Sequence, residues 1–179
     1  MTAEGVALTH AQFIETFGQR NDAILPRWLG PDVSPCRIQA VGDAKEDLYR
    51  QLVRKSGIQP LPGAADWVRN LHRDGWPQAI ASSAPRANVA VVLEVTGLAS
   101  FFQAIVSAED VTIGKPDPQV FLTAASRLGM PANRCIVVED ATAGIEAAHR
   151  AGMRSIDVRV RSLADLPPDA FNSLLAESQ

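Results

Sequence analysis

Four short, mostly apolar runs, each separated from the next by a single helical segment, are the feature that most restricts the fold of this chain. The runs cover residues 78–81, 104–106, 135–138 and 155–158. Parallel strands need a crossover connection, usually a helix, and strands covered on both faces are apolar throughout. The pattern therefore predicts an α/β fold with a Rossmann-like parallel sheet that carries helices on both faces.

The first sixty residues have a different pattern. Apolar residues recur at helical spacing in 9–17 and in 43–56, and no run typical of a strand occurs before about residue 77. Between these helices, Pro26, Gly30, Pro31 and Pro35 predict turns. We therefore expect a helical lobe in residues 1–60 and an α/β core in residues 61–179.

Composition excludes several classes of protein. The net charge is −3 and no basic block stands out, which argues against a nucleic-acid partner. No apolar run approaches the roughly 18 residues of a membrane span, and the first residues lack the profile of a signal peptide. Two cysteines are too few for a disulfide scaffold. We expect a soluble, cytoplasmic monomer.

Polar residues follow three of the four predicted strands. Ser82 and Ser83 follow the first strand, Lys115 lies in a loop after the second, and Glu139 with Asp140 follows the third. In open α/β sheets, ligands bind beyond the carboxyl ends of the strands, so these residues are expected to meet at one edge of the sheet.

The adjacent carboxylates Glu139 and Asp140 indicate a metal site. At the end of an apolar strand they repel each other and lose hydration, and a bound cation removes both penalties. Hard oxygen ligands favour Mg²⁺. In the alternative interpretation, Asp140 caps the following helix and Glu139 is simply exposed.

Lys115 and the two serines favour a phosphoryl site. Gly114 and Pro116 restrict the backbone around Lys115, as is suitable for an ammonium that faces a fixed anion. Ser82 and Ser83 can donate hydrogen bonds to a phosphate at the start of a helix. Taken singly, Lys115 fits a solvated loop lysine and the serines fit helix caps. The hypothesis of a phosphoryl site rests on their occurrence together.

Three segments together resemble motifs II, III and IV of the haloacid dehalogenase (HAD) superfamily, in its β-phosphoglucomutase-like phosphatase branch. They are Ile80-Ala81-Ser82-Ser83, Gly114-Lys115-Pro116-Asp117-Pro118 and Val137-Val138-Glu139-Asp140. The resemblance implies that Ser82 binds the transferring phosphoryl group and that Lys115 stabilises it. It also implies that Glu139 and Asp140 hold Mg²⁺.

The same resemblance implies that the helical lobe is a cap that closes over a small phosphorylated metabolite such as a sugar phosphate. Residues Arg20, Asn21, Lys45 and Tyr49 lie where cap residues of β-phosphoglucomutase-like proteins contact sugar phosphates. We therefore expect these four side chains, with Ser82, Ser83 and Lys115, to contact the substrate.

The chain departs from the family pattern in one respect. The family's motif I, Asp-x-Asp-Gly, supplies the nucleophile at the end of a central first strand, and these 179 residues contain no Asp-x-Asp. Without the aspartate, covalent catalysis by it is impossible, so we expect the chain to be inactive by itself. Without the strand, the four remaining strands must close up, leave a hole or recruit another segment, and we expect low stability.

Three interpretations follow. The chain is a shortened form of an active phosphatase or phosphomutase, a non-catalytic relative that binds a phosphorylated ligand or a protein partner, or an unfolded remnant.

Overall fold

The computed structural model describes residues 5–176. Its N-terminal part is helical, as expected. The helices are α1 (His10–Thr16), α2 (Asn21–Leu29) and α3 (Pro35–Ser56). Thr9 begins α1 with a capping box that it forms with Gln12. Ser34 accepts a hydrogen bond from the backbone of α3, and that helix ends at Gly57.

Helix α2 was not expected, because its segment was predicted to form turns. Pro26 lies inside this helix instead of breaking it. Ile24 and Leu25 are buried against Val41 of α3, and this packing offsets the backbone hydrogen bond that a proline cannot donate. Helix α3 also begins at Pro35 rather than at residue 43, because Ser34 caps it and proline suits the first helical position.

The remaining chain alternates helices with strands close to the predicted positions. The elements are α4 (Ala64–Arg73), β1 (Ala79–Ala81), α5 (Arg86–Thr96), β2 (Ala104–Val106), α6 (Gln119–Arg127), β3 (Ile136–Glu139), α7 (Thr142–Arg150), β4 (Arg154–Asp157) and α8 (Ala170–Ala176). Short 3₁₀ turns lie at Ala99–Phe101, Ala108–Asp110, Ala132–Arg134 and Leu163–Asp165. The predicted α/β fold class is confirmed.

The strands form two separate parallel pairs. β1 pairs with β2, with Ile80 opposite Ile105, and β3 pairs with β4, with Glu139 opposite Asp157. Within residues 5–176, no backbone ladder joins β1 to β3. The four strands have therefore not closed up into one sheet. The inner edges of β1 and β3 keep backbone groups that a neighbouring strand would pair with.

Buried side chains fill the space between the strands and helices. The largest cluster includes Val106, Val120, Val137 and Ala147, and a second one joins β4 to α8 through Ile156 and Phe171. Val138 is 39% exposed although it lies inside β3. An apolar side chain at that position is normally covered on both faces of a parallel sheet, so its exposure agrees with the unpaired edge of β3.

None of the helices within residues 5–176 is both long and apolar enough to span a membrane.

Candidate active site

Lys115 joins the ends of the two strand pairs. Its loop lies between β2 and α6, and its side chain is only 5% exposed. Nζ donates hydrogen bonds to the carbonyl oxygen of Ala81, at 3.2 Å, and to Oε1 of Glu139, at 3.0 Å. It also lies 4.7 Å from the ring centroid of Phe121. Lys115 is therefore not a solvated loop lysine, since it connects the carboxyl end of β1 to that of β3.

Glu139 is buried against the start of α7. Its side chain is 12% exposed. A Cβ placed on Gly144 would lie 1.7 Å from Oε1 of Glu139, so the carboxylate occupies space that any other residue at position 144 would fill. Burial raises the pKa of Glu139 and the charge of Asp140 adds to the rise, while the ammonium of Lys115 opposes it in part. Among the described residues, Lys115 is the cation that forms an ion pair with this carboxylate.

Asp140 differs from its neighbour. It is exposed, and its carboxylate accepts no hydrogen bond within residues 5–176. The N-cap of α7 is Ala141, which makes no side-chain cap. The alternative interpretation, in which Asp140 caps the helix and Glu139 is exposed, is therefore wrong on both residues.

The two carboxylates suit a hard cation but do not complete a site. Mg²⁺ prefers oxygen ligands in octahedral geometry, and Glu139 and Asp140 can supply two of them. Across the described residues, no group of three or more His, Cys, Asp or Glu side chains is placed to hold a metal. These residues therefore fit the protein part of a magnesium site that needs further oxygen ligands.

Ser82 directly follows Ala81, whose carbonyl oxygen accepts a hydrogen bond from Lys115. Its hydroxyl accepts a hydrogen bond from the backbone nitrogen of Ala84, at 3.1 Å. Helix α5 begins only at Arg86, after Pro85, so neither Ser82 nor Ser83 caps it. The local turn at the end of β1 fixes the hydroxyl of Ser82 near the carboxyl ends of the strands.

Arg20 of the helical part lies on the loop that carries Lys115. Its guanidinium donates to the carbonyl oxygens of Ala108 and Val111, at 2.9 and 2.6 Å. A Cβ on Gly114 would lie 2.6 Å from Cδ of Arg20, so a side chain at position 114 would displace that of Arg20. Arg20, which was predicted to contact substrate, therefore lies beside the loop that carries Lys115, but its guanidinium already donates to two backbone carbonyls.

Asn21, Lys45 and Tyr49 gather around Glu46 rather than around Lys115. Asn21 and Lys45 both donate to the carboxylate of Glu46. Burial raises the pKa of Tyr49, and the nearby negative charge of Glu46 adds to that rise. No hydrogen bond among the described residues joins this group to Lys115 or Glu139. The structure thus brings the predicted site residues together in two clusters.

Sequence reasoning missed Asp157 and Arg159. Asp157 ends β4 opposite Glu139 and accepts from the guanidinium of Arg159, with an Nε–Oδ1 distance of 2.9 Å. The hydrogen bonds that Arg159 donates to Asp157, together with the negative charges of Asp157, Asp140 and Glu139, raise the pKa of Arg159. The sequence signal was available, since Asp157 ends the fourth strand just as Glu139 ends the third.

Comparison with known proteins agrees with this geometry. The family model of haloacid dehalogenase-like hydrolases matches residues 6–152. The chain belongs to this family.

Among curated relatives, the Arabidopsis thaliana protein SUPPRESSOR OF QUENCHING 1, chloroplastic, is 41% identical over 98% of this chain, which covers 17% of that protein. The Escherichia coli fructose-1-phosphate phosphatase YqaB is 36% identical over 68% of this chain, which covers 63% of YqaB. This HAD-family chain thus spans less than two thirds of either relative. A cytoplasmic location stays a prediction, since the first relative is named as chloroplastic.

Solved structures share the fold. A β-phosphoglucomutase from Clostridium difficile superimposes with a TM-score of 0.86 at 23% identity, and the match covers 98% of this chain and 86% of that one. CbbY from Rhodobacter sphaeroides, solved with xylulose-(1,5)bisphosphate, superimposes with a TM-score of 0.75 at 25% identity, covering 95% of this chain and 83% of CbbY. The identification as a member of the HAD superfamily is therefore confirmed, and the chain shares its fold with a β-phosphoglucomutase.

Proposed function

We propose that this chain is the phosphoryl-binding part of a Mg²⁺-dependent HAD phosphatase or phosphomutase that acts on a small sugar phosphate. The observation that carries the proposal is the position of Lys115, whose ammonium lies between the ends of β1 and β3 with Ser82 next in the chain to one of its acceptors. The name of YqaB, a fructose-1-phosphate phosphatase, supports a sugar phosphate as the substrate class.

Each residue has a distinct part in the proposed chemistry. The ammonium of Lys115 neutralises charge on the phosphoryl oxygens, and the hydroxyl and backbone N–H groups that follow β1 orient them. Asp140, with its carboxylate free, and Glu139 would hold Mg²⁺, which when bound would supply further positive charge beside the phosphate. An anion entering this site competes with Glu139 for Lys115, and a cation bound by Glu139 would release the ammonium for that role.

Phosphate binding and phosphate-ester hydrolysis depend on different residues in this proposal. The 179 residues hold no Asp-x-Asp, so these residues alone are proposed to bind phosphate without forming an aspartyl-phosphate. Residues 1–60 are proposed to act as the cap and 61–179 as the core. Ser83, Arg20, Asn21, Lys45 and Tyr49 are proposed to add substrate contacts.

A binding experiment tests the first half of the proposal. The full chain is titrated with inorganic phosphate at saturating Mg²⁺ by calorimetry, alongside Lys115→Met and Lys55→Met. We expect binding by the parent chain and by Lys55→Met, because Lys55 is exposed at the end of α3. We expect loss of binding in Lys115→Met. Equal affinity in all three proteins would contradict the assignment of Lys115.

An activity experiment tests the second half. A family-like N-terminal strand that carries Asp-x-Asp-Gly is joined to the chain, and hydrolysis of p-nitrophenyl phosphate is measured with and without Mg²⁺. We expect Mg²⁺-dependent turnover that Lys115→Ala and Asp140→Ala each abolish. Phosphate binding without any turnover in this extended protein would instead favour the second candidate, a non-catalytic relative that binds a phosphorylated ligand or a protein partner.

A further inference from the structure

Glu46 is a buried carboxylate with no place in the chemistry above. It lies on α3, and only 8% of its surface is exposed. Burying a charge in a small protein costs several kcal/mol unless partners compensate for the lost water, so the partners of Glu46 matter.

Three donors from three parts of the chain surround this carboxylate. Asn21, at the start of α2, donates to Oε1 at 2.8 Å, and the ammonium of Lys45 donates to the same oxygen. Asn88 of α5 donates to Oε2. Glu46 therefore receives donors from both the helical part and the α/β part of the chain.

Asn88 is itself held in place. It is 4% exposed, and its Oδ1 accepts from Nη1 of Arg50 at 2.7 Å. Because Arg50 occupies the oxygen of this amide, the nitrogen of Asn88 is left to face Glu46. Two residues of α3 therefore bind the amide of Asn88. Arg50 donates to its oxygen, and Glu46 accepts from its nitrogen.

Glu46 remains ionised in this setting. Burial alone raises the pKa of Glu46, but the hydrogen bonds from Lys45, Asn21 and Asn88 and the charge of Lys45 outweigh burial, so the net pKa is lowered. The carboxylate is a stable negative centre around which two proposed substrate contacts, Asn21 and Lys45, are arranged.

We infer that Glu46 is a positioning residue, which fixes the amide of Asn21 and the ammonium of Lys45 only while α3 is docked on α5 through Asn88. This inference rests on the proposed function for the role of Asn21 and Lys45. It goes beyond that function by making their positions depend on the hydrogen bond between Glu46 and Asn88, in which neither of them takes part.

The chain contains three lysines, so their relative reactivity is a direct measurement of the inference. The full chain is treated with limiting acetic anhydride, and acetylation of Lys45, Lys55 and Lys115 is quantified by mass spectrometry. In Glu46→Gln we expect labelling of Lys45 relative to Lys55 to rise by about fivefold or more, because a charge-assisted hydrogen bond is lost. Labelling of Lys115 is expected to stay unchanged.

A matched control removes a charge from the same helix without touching the cluster. Asp43 is exposed one turn earlier on α3 and accepts only from Gln39 among the described hydrogen bonds, at 2.8 Å. Asp43→Asn is expected to leave the labelling of Lys45 unchanged. An equal rise in both variants would overturn the role of Glu46, because net charge alone would then explain it.

Asn88→Ala tests the dependence on docking. Among the described hydrogen bonds, none joins Asn88 to Lys45, so a purely local role for Glu46 predicts no change at Lys45. We expect a rise of about threefold or more in Lys45 labelling, since Asn88 holds one oxygen of the carboxylate that fixes the ammonium. Unchanged labelling of Lys45 in folded Asn88→Ala would overturn the inference. A parallel rise at Lys115, which signals general loosening, would overturn it as well.

Inorganic phosphate separates this inference from the proposed function. At a temperature at which circular dichroism shows Lys115→Met to be folded, this variant is expected not to bind phosphate and to keep Lys45 labelling at the parent level. If the parent chain does not bind phosphate but labelling of Lys45 still rises in Glu46→Gln and Asn88→Ala, the proposed function is wrong and the positioning role of Glu46 stands.

Discussion

The ammonium of Lys115 and the carboxylate of Glu139 form a 3.0 Å ion pair across the gap between two strand pairs that share no backbone ladder. Both side chains are largely buried, with exposures of 5% and 12%. In place of a strand between β1 and β3, this pair and the contact of Lys115 with Ala81 join the two carboxyl ends. The candidate site and the connection between the strand pairs therefore depend on the same residue.

Lys115→Met is expected to destabilise the chain by about 3 kcal/mol, because removal of one partner leaves the other charge buried and unpaired. Methionine keeps an apolar stem against Phe121. Lys115→Met/Glu139→Gln is expected to recover part of the loss, since no uncompensated charge remains. Urea denaturation of Lys115→Met, Glu139→Gln and the double variant measures the three free energies of unfolding.

Lys55→Met is the control for that measurement, and it is expected to change the free energy of unfolding by no more than about 0.5 kcal/mol. If the double variant were as unstable as the sum of its two single variants, the ion pair would carry no coupling energy and this interpretation would be wrong.

Gly144→Ala is expected to displace the carboxylate of Glu139. The new Cβ would lie 1.7 Å from Oε1, so the ion pair with Lys115 must move. We expect a loss of about 2 kcal/mol in stability, typical of overpacking at a buried site, together with weaker phosphate binding. Thermal unfolding and phosphate calorimetry measure the two effects.

Gly42→Ala is the matched control, because Gly42 also lies inside a helix. A Cβ there would meet Leu25 at an ordinary distance of 3.4 Å, and alanine is the better helix former by about 1 kcal/mol. Gly42→Ala is therefore expected to be neutral or stabilising. A similar loss in both variants would show that glycine is needed for reasons other than space for Glu139.

The strand positions could be predicted because each strand is a short apolar run between helix signals. β2 was predicted at its observed bounds, and β1, β3 and β4 shift by one residue at most at each end. Helix α2 was not predicted, because Pro26 indicates a break in local terms. The tertiary packing of Ile24 and Leu25 against Val41 explains why the helix persists.

The part of the site that follows the strands could be predicted from the sequence, because the strands themselves could be. The residues after β1, β2 and β3 were identified because topology alone brings strand ends to one edge. Glu46 and Asn88 lie 42 positions apart on two helices, and their hydrogen bond depends on how those helices pack. No local pattern in the sequence encodes that packing, so the cluster around Glu46 could not be predicted.

Asp110 is expected to contribute stability that acid removes. Hydrogen bonds from Arg127 and from Ser107 hold the pKa of Asp110 well below its usual value of 3.8. The unfolded chain therefore takes up a proton at this residue at a higher pH than the folded chain does. The contribution is complete at neutral pH and falls as the pH drops below about 5 towards the lowered pKa.

Asp110→Asn is accordingly expected to be less stable than the parent chain at pH 7, with a difference that shrinks as the pH falls. Urea denaturation at several pH values between 7 and 3 measures this difference in the free energy of unfolding. The titration of the other carboxylates cancels in the difference, because both proteins contain them. Asp66→Asn serves as the control, since Asp66 is 81% exposed and pairs only at the surface. A difference between parent and Asp110→Asn that stays constant with pH would contradict the prediction.

Mg²⁺ is expected to stabilise the chain through Asp140. A ligand that binds only the folded state adds stability that grows with the logarithm of its concentration, by about 2.7 kcal/mol at one hundred times its dissociation constant. The parent chain should therefore melt at progressively higher temperatures as Mg²⁺ is added. The melting temperature of Asp140→Asn should not rise with Mg²⁺, because this variant lacks the carboxylate of the pair that accepts no hydrogen bond among the described residues.

Asp74→Asn is the control, because it removes an exposed charge that pairs with neighbouring Arg73, and it should respond to Mg²⁺ as the parent does. A Mg²⁺-dependent rise in melting temperature that survives in Asp140→Asn would place the cation elsewhere. Equal screening by Na⁺ at matched ionic strength would show that no site for it exists here.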